Sequence, residues 1–135
     1  VPDGPPGGND GGPSPDADVH DPNGRLSRLE VTRAGRTSVV DVDRIDRIEA
    51  ADYYVRLHVE EATHLLRITM KELERRLDPA RFVRIHRSHI VRVDVIRELR
   101  PHPGGGYLVI LDDGTRLPLS RSRRRKLEGA LDQRL

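Results

Sequence analysis

From Leu26 onward the chain alternates short apolar runs with turn formers, the pattern of a β-rich domain. Residues 29–33 and 37–42 flank Ala34-Gly35-Arg36, which reads as a hairpin closed by a glycine able to take positive φ. Residues 45–51 and 53–59 read as two further strands. In the second, Tyr53, Val55, Leu57 and Val59 point one way and Tyr54, Arg56, His58 and Glu60 the other, because successive strand side chains alternate faces. Residues 63–68 pair back through a turn at 60–62.

The period then changes. Thr69 reads as the N-cap of a short helix, with Glu72 three residues on as its capping-box partner. Met70, Leu73 and Leu77 fall on one face of it, and Asp78-Pro79 ends it, since the residue before proline disfavours the helical region. Residues 82–85 and 90–95 are β-like runs separated by His86-Arg87-Ser88-His89. Two tight hairpins follow, over Gly104-Gly105-Gly106 and over Asp112-Asp113-Gly114-Thr115. A final helix starts at Ser120 as N-cap, with Leu127, Ala130 and Leu131 inward and Arg121, Arg124 and Arg125 outward.

Composition sets residues 1–25 apart. The first 24 hold six of the ten prolines, six of the twelve glycines, five acids and neither Lys nor Arg, too little apolar material to offset the entropy of ordering them. They read as a disordered linker, and 26–135 as one folded domain carrying 15 Leu, 11 Val and 7 Ile. Removing the five linker acids from 22 leaves 17 against 24 bases, so the folded part is about +7. Residues 25–80 balance at 11 bases and 11 acids, whereas 81–135 hold 13 bases and 6 acids. Such an excess suits a polyanion, whose condensed counterions are released when phosphates are neutralised.

Several chemistries are poorly served. With no cysteine, disulfides, thiolate chemistry and zinc-finger sites fall away. His86 and His89, with His58, His64 and His102 elsewhere, lack a second pair or carboxylate cluster at metal-ligand spacing, so no metal is expected. The glycine triplet is followed by no helix that could hold a phosphate, and Ser88 and Ser120 lie in no nucleophile elbow. Glu60-Glu61 and Asp112-Asp113 sit at turns as ordinary solvated acids. No catalytic residue, enzyme activity or cofactor is expected. No apolar run approaches the roughly 20 residues of a membrane span and no signal pattern opens the chain, so a cytoplasmic location away from membranes is the expectation.

Two basic clusters remain: His86-Arg87-Ser88-His89 with Arg92, and Ser120-Arg121-Ser122-Arg123-Arg124-Arg125-Lys126. The arginine fork matches the O6 and N7 acceptors of guanine, while serine, histidine and backbone N–H groups suit phosphate oxygens. These residues alone leave two readings, nucleic-acid binding or a basic surface that docks an acidic protein partner.

Five segments then occur in a family order: Ile48-Glu-Ala50 with Tyr53-Tyr54; the capped helix through Leu77; Phe82-Val-Arg-Ile-His-Arg-Ser88; Ile90-Val91 with Ile96; and Asp113-Gly114 leading to Leu117-Pro-Leu-Ser-Arg121. Together they resemble the LytTR family of DNA-binding domains over residues 26–131. The resemblance implies a mainly β, elongated fold of about ten mostly antiparallel strands in small packed sheets, with a short mid-chain helix and a C-terminal helix. It implies sequence-specific binding of double-stranded DNA for transcriptional regulation, with loops entering successive major grooves. It further implies a place behind a receiver or other signalling domain of a two-component response regulator, and a dimer on repeated half-sites. The opening in linker-like sequence without Met agrees with a carboxy-terminal piece.

Family base-contacting positions fall near Tyr54 and Val55, on Arg87 and around Arg121, Ser122 and Arg123. Two departures stand out. Arg92 occupies a position where the family often has Asn, exchanging a hydrogen-bonding pattern for a charge. Val55 is apolar; it either touches a thymine methyl or belongs to the core, and its alternation with Tyr53 and Leu57 favours the core.

Overall fold

The computed structural model describes residues 19–20 and 25–132. Its strands are β1 (Val19–His20), β2 (Leu26–Arg33), β3 (Arg36–Asp41), β4 (Arg47–Ala51), β5 (Tyr54–Val59), β6 (Ala62–Leu66), β7 (Phe82–His86), β8 (His89–Arg92), β9 (Ile96–Pro101), β10 (Tyr107–Leu111) and β11 (Arg116–Leu119). Two helices join them, α1 (Met70–Arg76) and α2 (Arg124–Asp132). Three antiparallel sheets result, ordered β1-β2-β3, β6-β5-β4-β8-β7 and β11-β10-β9. The mainly β architecture with two helices is as expected. The two-residue β1 falls within the span read as linker, and the rest of that span before Arg25 lies outside the described residues.

The turns follow local chemistry. Ala34 and Gly35 both take positive φ, 52° and 77°, the paired left-handed geometry that matches the twist of a two-residue hairpin. At the β10–β11 turn Gly114 takes φ 89° while Asp113 Oδ1 accepts the Thr115 N–H at 2.9 Å. Thr69 caps α1 as expected, its Oγ1 accepting the Glu72 N–H at 3.0 Å. The Glu72 carboxylate does not complete the capping box: it pairs with Arg75 one turn on.

Two hydrophobic clusters form. Leu29, Val31, Val40, Ile45, Ile48, Val55, Leu57, Leu73, Leu77, Phe82 and Ile90 belong to the first; Val83, Ile85, Val91, Val109, Leu111, Leu117 and Leu127 belong to the second. Strands β7 and β8 serve both, Phe82 and Ile90 facing one cluster and Val83, Ile85 and Val91 the other. This explains the unbroken pairs Phe82-Val83 and Ile90-Val91, since a strand covered on both faces needs no polar alternation. Each such side chain, fully buried, contributes roughly 1.5–3 kcal/mol.

Three sequence expectations are corrected. Tyr53 does not continue the inward row of Val55 and Leu57 but is 80% exposed, because the chain reverses there with Asp52 at φ 58°. The run 90–95 is not one strand: Val93–Val95 forms a single 3-10 turn that carries the chain into β9 and the third sheet. Ser120 makes no side-chain cap; a 3-10 turn over Arg121–Arg123 intervenes before α2 begins at Arg124.

Candidate nucleic-acid interface

The order β5-β4-β8-β7 brings separate turns to one end of the five-stranded sheet. The β4–β5 turn holds Asp52 and Tyr53, and the β7–β8 turn holds Arg87 and Ser88. They are neighbours because β4 pairs antiparallel with β8, and the Ala50 N–H donates to Ser88 O at 2.9 Å. A second bond recruits the other basic cluster. The Ser120 N–H donates to Ile85 O at 2.8 Å, fixing the start of the 121–125 segment one residue from His86. Two clusters more than 30 residues apart in sequence thus share one edge.

Within the first cluster the turn is held from inside. The Ser88 N–H donates to His86 Nδ1 at 3.2 Å, and Arg84 Nη2 donates to Arg87 O at 2.8 Å. The Arg87 side chain is left exposed, and no ion pair engages it among the described residues. Of the acids that follow in sequence, Asp94 Oδ2 lies 3.9 Å from Arg92 Nη1 and Glu98 pairs with Arg100 at 2.7 Å. The His86 and His89 rings lie 5.7 Å apart and tilted. Burial holds the His86 imidazole below its ordinary pKa, reinforced by Arg87, Arg123 and Arg84. His89 is lowered chiefly by burial as well, and its Nδ1 is enclosed without a hydrogen-bond partner among the described residues. Both shifts favour the neutral ring. Among the described residues no three His, Asp or Glu side chains gather as a metal site.

In the second cluster the side chains diverge. Arg121, Ser122 and Arg125 are exposed, and Arg121 and Arg125 have no ion pair among the described residues. Arg123 Nη1 lies 3.6 Å from Glu74 Oε2, as does Lys126 Nζ. Arg124, expected outward, instead lays its guanidinium over the Tyr107 ring, 4.0 Å from the centroid, with Glu128 at 3.5 Å. The stack fastens α2 to the third sheet.

Two residues offered as contacts turn inward. Val55 is 1% exposed and belongs to the first cluster of the core, the alternative its alternation favoured; Tyr54 beside it is exposed. Arg92 stands at the far end of β8 from the Arg87 turn. Its Nε donates to Ile45 O at 3.1 Å and its Nη2 to Asp46 Oδ1 at 3.0 Å, so its fork is spent inside the fold. Sequence inspection also missed Glu74 and Arg84, which hold the two clusters and whose helix and strand spacing marks them only as ordinary polar positions. Among the described residues no helix is long and apolar enough to cross a membrane.

Comparison with known proteins bears on the family and the fold. The family profile described as LytTr DNA-binding domain matches residues 35–132. The sequence is 34% identical over 111 residues to the CO-responsive transcriptional regulator RcoM of Rhodospirillum rubrum, covering 82% of this chain and 47% of that protein. It is 31% identical over 96 residues to the sensory transduction protein LytT of Bacillus subtilis, covering 70% and 40% respectively. The chain thus spans less than half the length of these relatives. Among solved structures, the LytTr DNA-binding domain of a putative methyl-accepting/DNA response regulator from Bacillus cereus superposes with a TM-score of 0.69 at 28% identity, over 78% of this chain and 96% of that one.

Proposed function

The chain belongs to the LytTR family of DNA-binding domains, and from that premise we propose that the shared edge built by the β7–β8 turn and the 120–125 segment is what reads duplex DNA. The observation that carries this is the Ser120 N–H to Ile85 O bond, which sets Arg87 and Arg121 on one edge with their guanidinium groups unspent. Arg87, on a turn held from three sides, is suited to a bidentate contact with guanine O6 and N7 in the major groove. Arg121, Ser122 and Arg123 follow as the second reading segment, and Arg125 contacts phosphate. Tyr54 and the exposed Tyr53 flank the edge from the β4–β5 turn. His86 Nδ1 and the backbone groups of Ser88 and Ser120 shape the edge, and the Ser88, His89 and Ser120 side chains supply further contacts to DNA.

The reading extends to the assembly. A single module of this size covers a limited stretch of duplex, so useful affinity comes from two copies on repeated half-sites. A preceding receiver or signalling region, as in a response regulator, would supply the dimerisation, and residues 1–25 would serve as the linker to it. Selection of duplexes from a random pool by the 135-residue chain tests the central proposal: one recovered motif is expected, with log affinity falling linearly with log salt. Equal recovery of all sequences would refute it.

A further inference from the structure

Three cations converge on one carboxylate. Glu74, near the C-terminal end of α1, lies 3.2 Å from Arg84 Nη1 through Oε1, and 3.6 Å from both Arg123 Nη1 and Lys126 Nζ through Oε2. These partners stand on three separate elements: Arg84 on β7, Arg123 on the 3-10 turn and Lys126 on α2. Arg84 is nearly enclosed, and its other terminal nitrogen donates to Arg87 O at 2.8 Å. A continuous polar path therefore runs from the Arg87 turn through the Arg84 guanidinium to Glu74, and from Glu74 to the 121–126 segment.

Taken only as a charge, Glu74 is misplaced. A carboxylate beside a surface that meets phosphates repels them, and removing it should tighten binding to any duplex. Its geometry supports a different role. Isolated exposed ion pairs add little, but a half-buried carboxylate shared among three cations fixes the relative position of the elements that carry them. Resting on the DNA-reading function proposed above, we infer that Glu74 is a positioning residue for sequence reading: it sets the spacing between the Arg87 turn and the Arg121–Arg123 segment, and gives up some general affinity for DNA in return for discrimination.

The two roles differ in sign, which makes the test decisive. Glu74→Gln in the full chain keeps the shape and removes the charge. Affinity would be measured for the duplex that the parent chain enriches from a random pool and for a scrambled duplex, beside the melting temperature. Glu72→Gln, which removes the same charge from the same helix where its carboxylate meets Arg75 and Arg76, is the electrostatic control. The ratio of enriched to scrambled affinity is expected to fall roughly fivefold to tenfold for Glu74→Gln, the lower range for coupling between two sites. Scrambled-duplex affinity should hold or rise, and Glu72→Gln should leave the ratio unchanged. Arg84→Lys supplies a second variant: it conserves charge but cannot hold Glu74 and Arg87 O with two nitrogens of one rigid fork, so the ratio should fall there too. An unchanged ratio in both variants overturns the inference, as does a proportional loss on both duplexes accompanied by a lower melting temperature. A parent chain that enriches no duplex overturns the DNA-reading proposal and this inference together, whereas a selective parent with unaffected variants overturns this inference alone.

Discussion

The two ends of the five-stranded sheet treat their arginines differently. At the end where β5 turns into β6, Arg44 meets Glu60 at 2.7 Å, Arg81 meets Asp43 at 2.6 Å and Arg92 meets Asp46 at 3.0 Å. At the other end Arg67, Arg87 and the neighbouring Arg121 and Arg125 have no acid partner among the described residues. In the proposed reading, what distinguishes the DNA-facing end is how many guanidinium donors remain unspent, not how many arginines are present. Like-charged side chains left together repel one another, and a polyanion relieves that repulsion while the paired end gains nothing from it.

Arg87→Ala should break the contrast most severely. Loss of a bidentate guanine contact costs roughly 1 to 3 kcal/mol on the preferred duplex and relaxes selection at one base pair. Because the side chain has no ion pair within the described fold, the melting temperature should hold. Lysine should restore little, since a point charge lacks the planar fork. Selection profiles of the variant and parent decide the matter, and an unaltered base preference would remove Arg87 from the reading set.

Arg92→Ala is the matching experiment at the paired end, with the effects exchanged. It removes hydrogen bonds to Ile45 O and Asp46 Oδ1, part-buried and charge-assisted, so a stability loss of about 1 to 2 kcal/mol in denaturant unfolding is expected. Duplex preference should be unchanged. A variant with parental stability and lost preference would place Arg92 back on the DNA.

Much of this was legible from local sequence, and the illegible part has a common cause. The inward row of Val55 and Leu57, the Thr69 cap and the Asp113-Gly114 turn each depend on neighbours within a few residues, so period and turn chemistry suffice to find them. The fates of the arginines depend on distant partners. Arg92 is claimed by Asp46, 46 residues away, and Arg124 by Tyr107 on another sheet. Nothing in Ser120-Arg121-Ser122-Arg123-Arg124-Arg125 tells which guanidinium will stack and which will stay free, because four arginines among two serines give no periodic signal. Ser120 misled for a related reason. A serine before a helix resembles a cap, yet here its backbone N–H, a group common to most residues, makes the bond that assembles the edge. Glu74 was invisible because its importance lies in three partners from three elements.

Arg125→Ala should sharpen the contrast with a smaller effect. If this exposed side chain contacts phosphate, preferred and scrambled duplexes should weaken alike, and the slope of log affinity against log salt should fall by about one unit. Base preference should not move. A change in preference would transfer Arg125 from the phosphate contacts to the reading set.

The smallest expected effect concerns the rings beneath the free arginines. His86 Nδ1 accepts the Ser88 N–H, which requires an unprotonated nitrogen there, and burial with Arg87, Arg123 and Arg84 lowers the ring's pKa. Burial likewise lowers His89 and, despite its bond to Glu49, His58. A histidine lowered in the folded state binds fewer protons than in the unfolded chain, so the fold loses stability as pH falls below the ordinary value of about 6.5 toward the folded-state values. Above that range both states are neutral and these rings contribute no pH dependence. The melting temperature should therefore be flat from pH 8 to 7 with respect to these groups and decline on acidification toward pH 5.5. Chemical shifts of the imidazole C–H protons should titrate with midpoints below the free value for all three. If duplex phosphate comes to lie beside the Arg87 turn, as the proposed reading requires, it should favour the imidazolium at His86 alone and reverse the tendency there. The His86 midpoint should rise when duplex is added while that of His58, held against Glu49 on the sheet, stays in place. Equal movement of both on DNA addition would show that the duplex does not distinguish the Arg87 turn from the rest of the sheet.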